Sequence, residues 1–99
     1  NENNQYVSAY NNLSRLYFKQ YLLSGYEGDK NLSNYYCDIA LNLDPINKKG
    51  LLNKIDLIII EKKYSEAKLL LSKIIDIYPD EKDAKLLLNK LNEENYKNI

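Results

Sequence analysis

Apolar residues recur at i, i+3, i+4 along almost the whole chain, and strand-like alternation is never sustained. Tyr6, Tyr10, Leu13, Leu16, Tyr17 and Tyr21 define one face of a first helix, and Gly25 and Gly28 are expected to end it. A second helix is predicted to open near 31–33 and to carry Tyr35, Tyr36, Ile39, Ala40 and Leu43. Asp44-Pro45 stops it, because the residue before a proline is pushed out of the helical region. The spacing predicts a third helix over 46–61 and a fourth over 65–77. After the Pro79-Asp80 break, Asp80 is the expected N-cap of a last helix bearing Leu86, Leu87 and Leu91. Glu81 and Asp83 complement its positive end. Residues 93–99 are polar and expected to fray.

Five helices joined by short links read as consecutive antiparallel hairpins, so the fold class is all-α. They could close into an unrelated five-helix bundle or stack as a repeat. Pro45 and Pro79 lie 34 residues apart, and each follows a similar apolar approach, Leu41 and Leu43 before one, Ile75 and Ile77 before the other. Within 48–81, Leu51, Lys54-Ile55 and Ile58 keep the spacing of a first repeat helix. Tyr64-Ser65-Glu66-Ala67 makes the turn into the second helix, Ala67 pairs with Leu71, and Pro79 closes the unit. This pattern resembles the tetratricopeptide repeat, a helix–turn–helix unit of about 34 residues that stacks into a solenoid.

The stretch 14–47 resembles a degenerate copy. Tyr17 stands at the aromatic position, Gly28-Asp29 at the turn, Ala40 at a small second-helix position and Pro45 at the close, while Ser33 and Cys37 replace the Ala and the large apolar residue. Residues 82–97 would be a capping helix or the first helix of a third repeat. The resemblance implies one domain over 1–99, built as a short right-handed solenoid of about five helices, with Ala67 where two helices cross closely. The chain lacks Met even at position 1, so it is expected to be a processed or trimmed piece of a longer protein.

Composition narrows the chemistry. Fourteen basic and fourteen acidic residues cancel, leaving no net charge to draw the chain onto nucleic acid. With no His and a single Cys, neither a tetrahedral His/Cys zinc site nor a disulfide framework can be built from one chain. A Ser or Cys nucleophile would lack its usual base. Cys37 reads as a small buried hydrophobe, and the Tyr stripe at helical spacing reads as core. Asp29-Lys30-Asn31 opens like a calcium loop, but Asn34 and Ala40 stand where its Gly and Glu belong. The longest apolar run, Leu57 to Ile60, falls far short of the ~20 residues that cross a bilayer. No enzyme activity and no cofactor are therefore expected, and no direct membrane insertion. One Cys suits a reducing cytosol, and a periplasmic or lipid-anchored setting is equally compatible.

The expected activity is protein binding, as a scaffold-type module for a peptide, a partner helix or a second copy of the chain. The alternative is an oligomerisation element or the cap of a larger helical array. The resemblance also allows a narrower check. Tetratricopeptide co-chaperones clamp the C-terminal carboxylates of heat-shock proteins with Lys, Asn and Arg side chains. Here Asn53 alone matches, while Phe18, Leu22, Asp83 and Leu87 replace the other donors. A groove for another ligand is expected instead. The third helix is apolar almost all round, and such a helix is usually covered all round. Leu52 and Ile60, with Lys49, Asn53 and Asp56, fall on the face left over after its hairpin and repeat contacts are assigned. Phe18, Leu22 and Tyr26 would extend that face from the first repeat.

Overall fold

A computed structural model describes residues 2–93, with side chains from Gln5 onward. The described residues are all-helical, with no strand: α1 (Glu2–Ser24), α2 (Glu27–Leu43), α3 (Lys48–Ile60), α4 (Tyr64–Ile77) and α5 (Lys82–Glu93). Two compact units are present, Asn1–Leu57 and Ile58–Ile99. The frayed end expected over 93–99 lies outside the described residues except for Glu93, which is the last residue of α5.

In the first unit α1 ends at Gly25, whose φ of 70° lets its N–H reach back to Tyr21 C=O at 2.8 Å. Gly28 does not help to end α1, contrary to expectation. It lies inside the first turn of α2, which starts at Glu27 rather than near 31–33. Ser24 makes this early start possible. Its hydroxyl accepts Tyr26 N–H at 3.0 Å and donates to Asp29 Oδ2 at 3.1 Å, while Glu27 and Asp29 complement the positive end of the helix. The Tyr26 ring lies over Gly28, where a β-carbon would collide with it.

In this unit α3 supplies the large buried side chains Leu51, Ile55 and Leu57, while α1 and α2 contribute mostly small ones. Ser33, Cys37 and Ala40 are the buried residues of α2, and Val7, Asn11 and Ser14 are buried on α1. Small side chains at these helix spacings let the backbones approach closely. On the flank, Tyr36 stacks between Tyr10 and Tyr17, with ring centroids 6.1 and 5.8 Å away, and Tyr35 meets it edge-on at 5.2 Å. The expected apolar stripe of α1 is therefore only partly core: Tyr6 and Leu16 are exposed.

The second unit buries Ala67, Leu71 and Ile74 from α4 with Ala84 and Leu91 from α5. The three α4 positions are those of Ser33, Cys37 and Ala40 shifted by 34 residues, and all six side chains are fully buried. The proline turns repeat the same way. Asp44 and Tyr78 N–H groups close α2 and α4 on Ala40 and Ile74 C=O, at 2.9 and 2.7 Å. Asn47 and Glu81 N–H groups then return to Asp44 and Tyr78 C=O, each at 3.0 Å, with Pro45 and Pro79 at the second turn position. Asp80 thus sits within the turn, one residue too early to cap α5, and Glu81 is the residue that precedes the helix. The links between helices do not match: Gly25-Tyr26 joins α1 to α2, whereas Glu61-Lys62-Lys63 joins α3 to α4.

Candidate functional site

The start of α3 is fixed by Asn47. Its Oδ1 caps the helix by accepting Gly50 N–H at 2.9 Å, and it also accepts Asn11 Nδ2 from α1 at 2.8 Å. Gly50 lets α3 sit close: a β-carbon there would lie 2.8 Å from Leu41 Cδ2 and 3.4 Å from Asn11 Oδ1. That amide oxygen is buried and has no hydrogen-bond partner among the described residues. Cys37 Sγ of α2 approaches Gly50 C=O at 3.4 Å from the other side.

One turn further along α3, polar side chains take over. Lys54 reaches across to α2, where Nζ lies 2.7 Å from Asp38 Oδ1 and 3.2 Å from Asn34 Oδ1. Asn53 faces α1, donating from Nδ2 to Asn11 C=O at 3.3 Å. Arg15 closes the arrangement from α1, with Nη2 2.6 Å from Asn53 Oδ1 and 2.8 Å from Asp56 Oδ2. Its guanidinium also lies 5.4 Å from the centre of the Phe18 ring, a cation–π geometry.

These contacts border a recess of about 280 Å³ between α1 and α3, lined by Asn11, Asn12, Arg15, Lys49, Leu52 and Asn53. Three of the expected groove residues, Lys49, Leu52 and Asn53, line it. Asn53 is not on an open face as expected. It is only 8% exposed, because Arg15 and the Asn11 carbonyl satisfy its amide. Phe18 and Asp56 adjoin the recess through Arg15. Leu22 and Tyr26 are exposed farther along α1 and its turn, and neither is a lining residue. Ile60 is half-buried and belongs to the second unit.

Arg15, Asn11 and Asn12 were not on the expected list. The signal for Arg15 was its being the chain's single arginine, placed on a helix face between Asn11 and Phe18. Amide and cationic side chains ring the recess, but most of its exposed wall is apolar, Leu52 included. Such a surface can hold a peptide's carbonyl or carboxylate groups and cover an aliphatic side chain.

The single thiol is buried. Burial pushes the Cys37 thiol up to about 11, with Asp38 adding to the rise and Lys54 opposing it. The thiol is fully enclosed and far from a reactive thiolate. Among the described residues no group of three or more His, Cys, Asp or Glu could hold a metal ion, and no helix is long and apolar enough to cross a membrane. No family model matches the chain, and no curated protein or solved structure matches it either.

Proposed function

We propose that the chain is a non-enzymatic protein-interaction module of the tetratricopeptide kind, whose recess between α1 and α3 receives a peptide or one edge of a partner helix. The recess carries this reading. Its volume of about 280 Å³ is small for a cofactor, since pockets for drug-sized ligands hold ~300–1,000 Å³, but ample for a side chain or two of a longer segment. The repeat reading draws support from the two equivalent proline turns and from the buried trios Ser33, Cys37, Ala40 and Ala67, Leu71, Ile74. Stacked helical repeats offer elongated surfaces of this kind to extended partners.

The competing role, self-association or capping of a larger array, is favoured by one observation. Leu69 and Leu86 in the second unit are 75% and 66% exposed, and another chain could cover them. A displayed peptide library separates the two roles. Selection on the intact chain should enrich a common motif, and Leu52→Glu should abolish its capture while leaving the helical circular dichroism unchanged. Enrichment of no motif, together with concentration-dependent dimerisation in light scattering, would favour self-association.

A further inference from the structure

We infer that the segment held in the recess presents an acidic side chain to Lys49 and Arg15, an inference that rests on the peptide-binding reading above. The charge distribution points there. The whole chain is neutral, yet the two helices that line the recess each carry a net positive charge, +1 on α1 and +2 on α3. Past Glu2, α1 carries Arg15 and Lys19 and no acid, while α3 carries Lys48, Lys49 and Lys54 against the single acid Asp56. Lys54 is committed to Asp38 of α2, which leaves Arg15 and Lys49 as the cations that line the recess.

Beside the recess, one of its lining residues, Arg15, already holds a carboxylate. Asp56 supplies one from the chain itself, 2.8 Å from Arg15 Nη2, at a point where both side chains are more than a third exposed. Arg15 offers further guanidinium donors beyond the two on Nη2, which are committed to Asn53 and Asp56. Lys49, exposed at the rim, has no ion-pair partner among the described residues. An incoming carboxylate therefore finds one unpaired ammonium and one guanidinium that it can share with Asp56. Asp56 acts as an internal competitor, weakening the site for acids without closing it.

The carboxylate belongs to a Glu or Asp within the segment rather than to a chain end. Exposed Asn12 and Lys49 among its lining residues leave the recess open to solvent, so a passing segment can offer it a side chain. Leu52 then covers an aliphatic neighbour of that acid.

The test is an NMR titration of the 99-residue chain, followed through the side-chain amides of Asn12 and Asn53 and the guanidinium of Arg15. The probes are acetyl-Leu-Glu-Leu-amide, its glutamine counterpart acetyl-Leu-Gln-Leu-amide, and the glutamine peptide with a free C-terminus. The acidic amide should bind best. Lys49→Gln should weaken it by about two- to fivefold and Asp56→Asn should strengthen it by a similar factor, the range of an exposed ion pair. Neither variant should alter binding of the glutamine amide. Equal shifts from the glutamic and glutamine amides would overturn the acidic preference and leave the peptide site standing. Preference for the free C-terminus would overturn the side-chain source. Probes that leave all these resonances unmoved would overturn both the inference and the reading beneath it. Matching circular dichroism of the two variants and the native chain excludes misfolding as the cause of any change.

Discussion

Ser14 and Ser33 exchange hydrogen bonds across the α1–α2 crossing. Ser14 Oγ donates to Ser33 C=O at 2.9 Å, and Ser33 Oγ donates to Ser14 C=O at 2.7 Å, with both side chains fully buried. Each hydroxyl thus satisfies itself on a backbone carbonyl of the opposite helix, and the pair fixes the register of the hairpin. Ser14→Ala and Ser33→Ala should each destabilise by about 1 kcal/mol, since a buried hydrogen bond is lost with little change in volume. The two Oγ atoms lie 3.3 Å apart, so the double variant should deviate measurably from additivity. Urea melts of the four proteins test this. Strict additivity would mean that the hydroxyls act independently.

The position equivalent to Ser33 in the second unit is Ala67, also fully buried. Ala67→Leu should overpack its site and lower stability by ~1–3 kcal/mol. A thermal melt measures it, and an unchanged midpoint would remove Ala67 from the core.

Lys62 ends α3 in the left-handed region at φ 61°. Its N–H bonds to Ile59 C=O at 2.8 Å and that of Lys63 to Ile58 C=O at 3.2 Å, the double closure that usually places a glycine at this point. A side chain there is strained by roughly 1–2 kcal/mol. Glycine relieves that strain but gives back part of it, about 0.4–1 kcal/mol, through a looser unfolded chain. Lys62→Gly should therefore stabilise by about 0.5–1 kcal/mol. A lower midpoint in chemical denaturation would show that the lysine is held by something other than the turn.

Cys37 provides a probe of opening. Its thiol is enclosed and pushed up to about 11 by burial. The unfolded thiol ionises first as pH rises, so the unfolded state then binds fewer protons than the folded one. Native stability should accordingly fall between the ordinary thiol range and about pH 11. The effect is read as the difference between the native chain and Cys37→Ala. Near neutral pH, Ellman's reagent should label Cys37 only at the rate of unfolding. Rapid labelling of the folded chain would contradict its burial.

The sequence pattern conveyed the class of fold, five helices and the paired proline breaks, because periodicity and Pro act locally. What escaped it depends on contacts between distant residues. Gly28 read as a helix end because glycine usually is one, yet Ser24, Glu27 and Asp29 support a helix start across it. Leu16 matched the stripe of α1 but lies on its outer side. Of the expected groove, Lys49, Leu52 and Asn53 meet at the recess because they share one face of α3. Leu22 and Tyr26 are not lining residues: Leu22 is exposed on α1, and Tyr26 folds back over Gly28. Arg15 was missed because its importance comes from Asn53 and Asp56, some forty residues away.

Hydrogen–deuterium exchange with and without a saturating library-selected peptide tests the central claim most directly. If the recess between α1 and α3 is the binding site, protection should rise in the segments around Asn11–Arg15 and Lys49–Asn53, and the same peptide should leave α5 unchanged. Protection gained in α4 or α5, with none in those two segments, would contradict it.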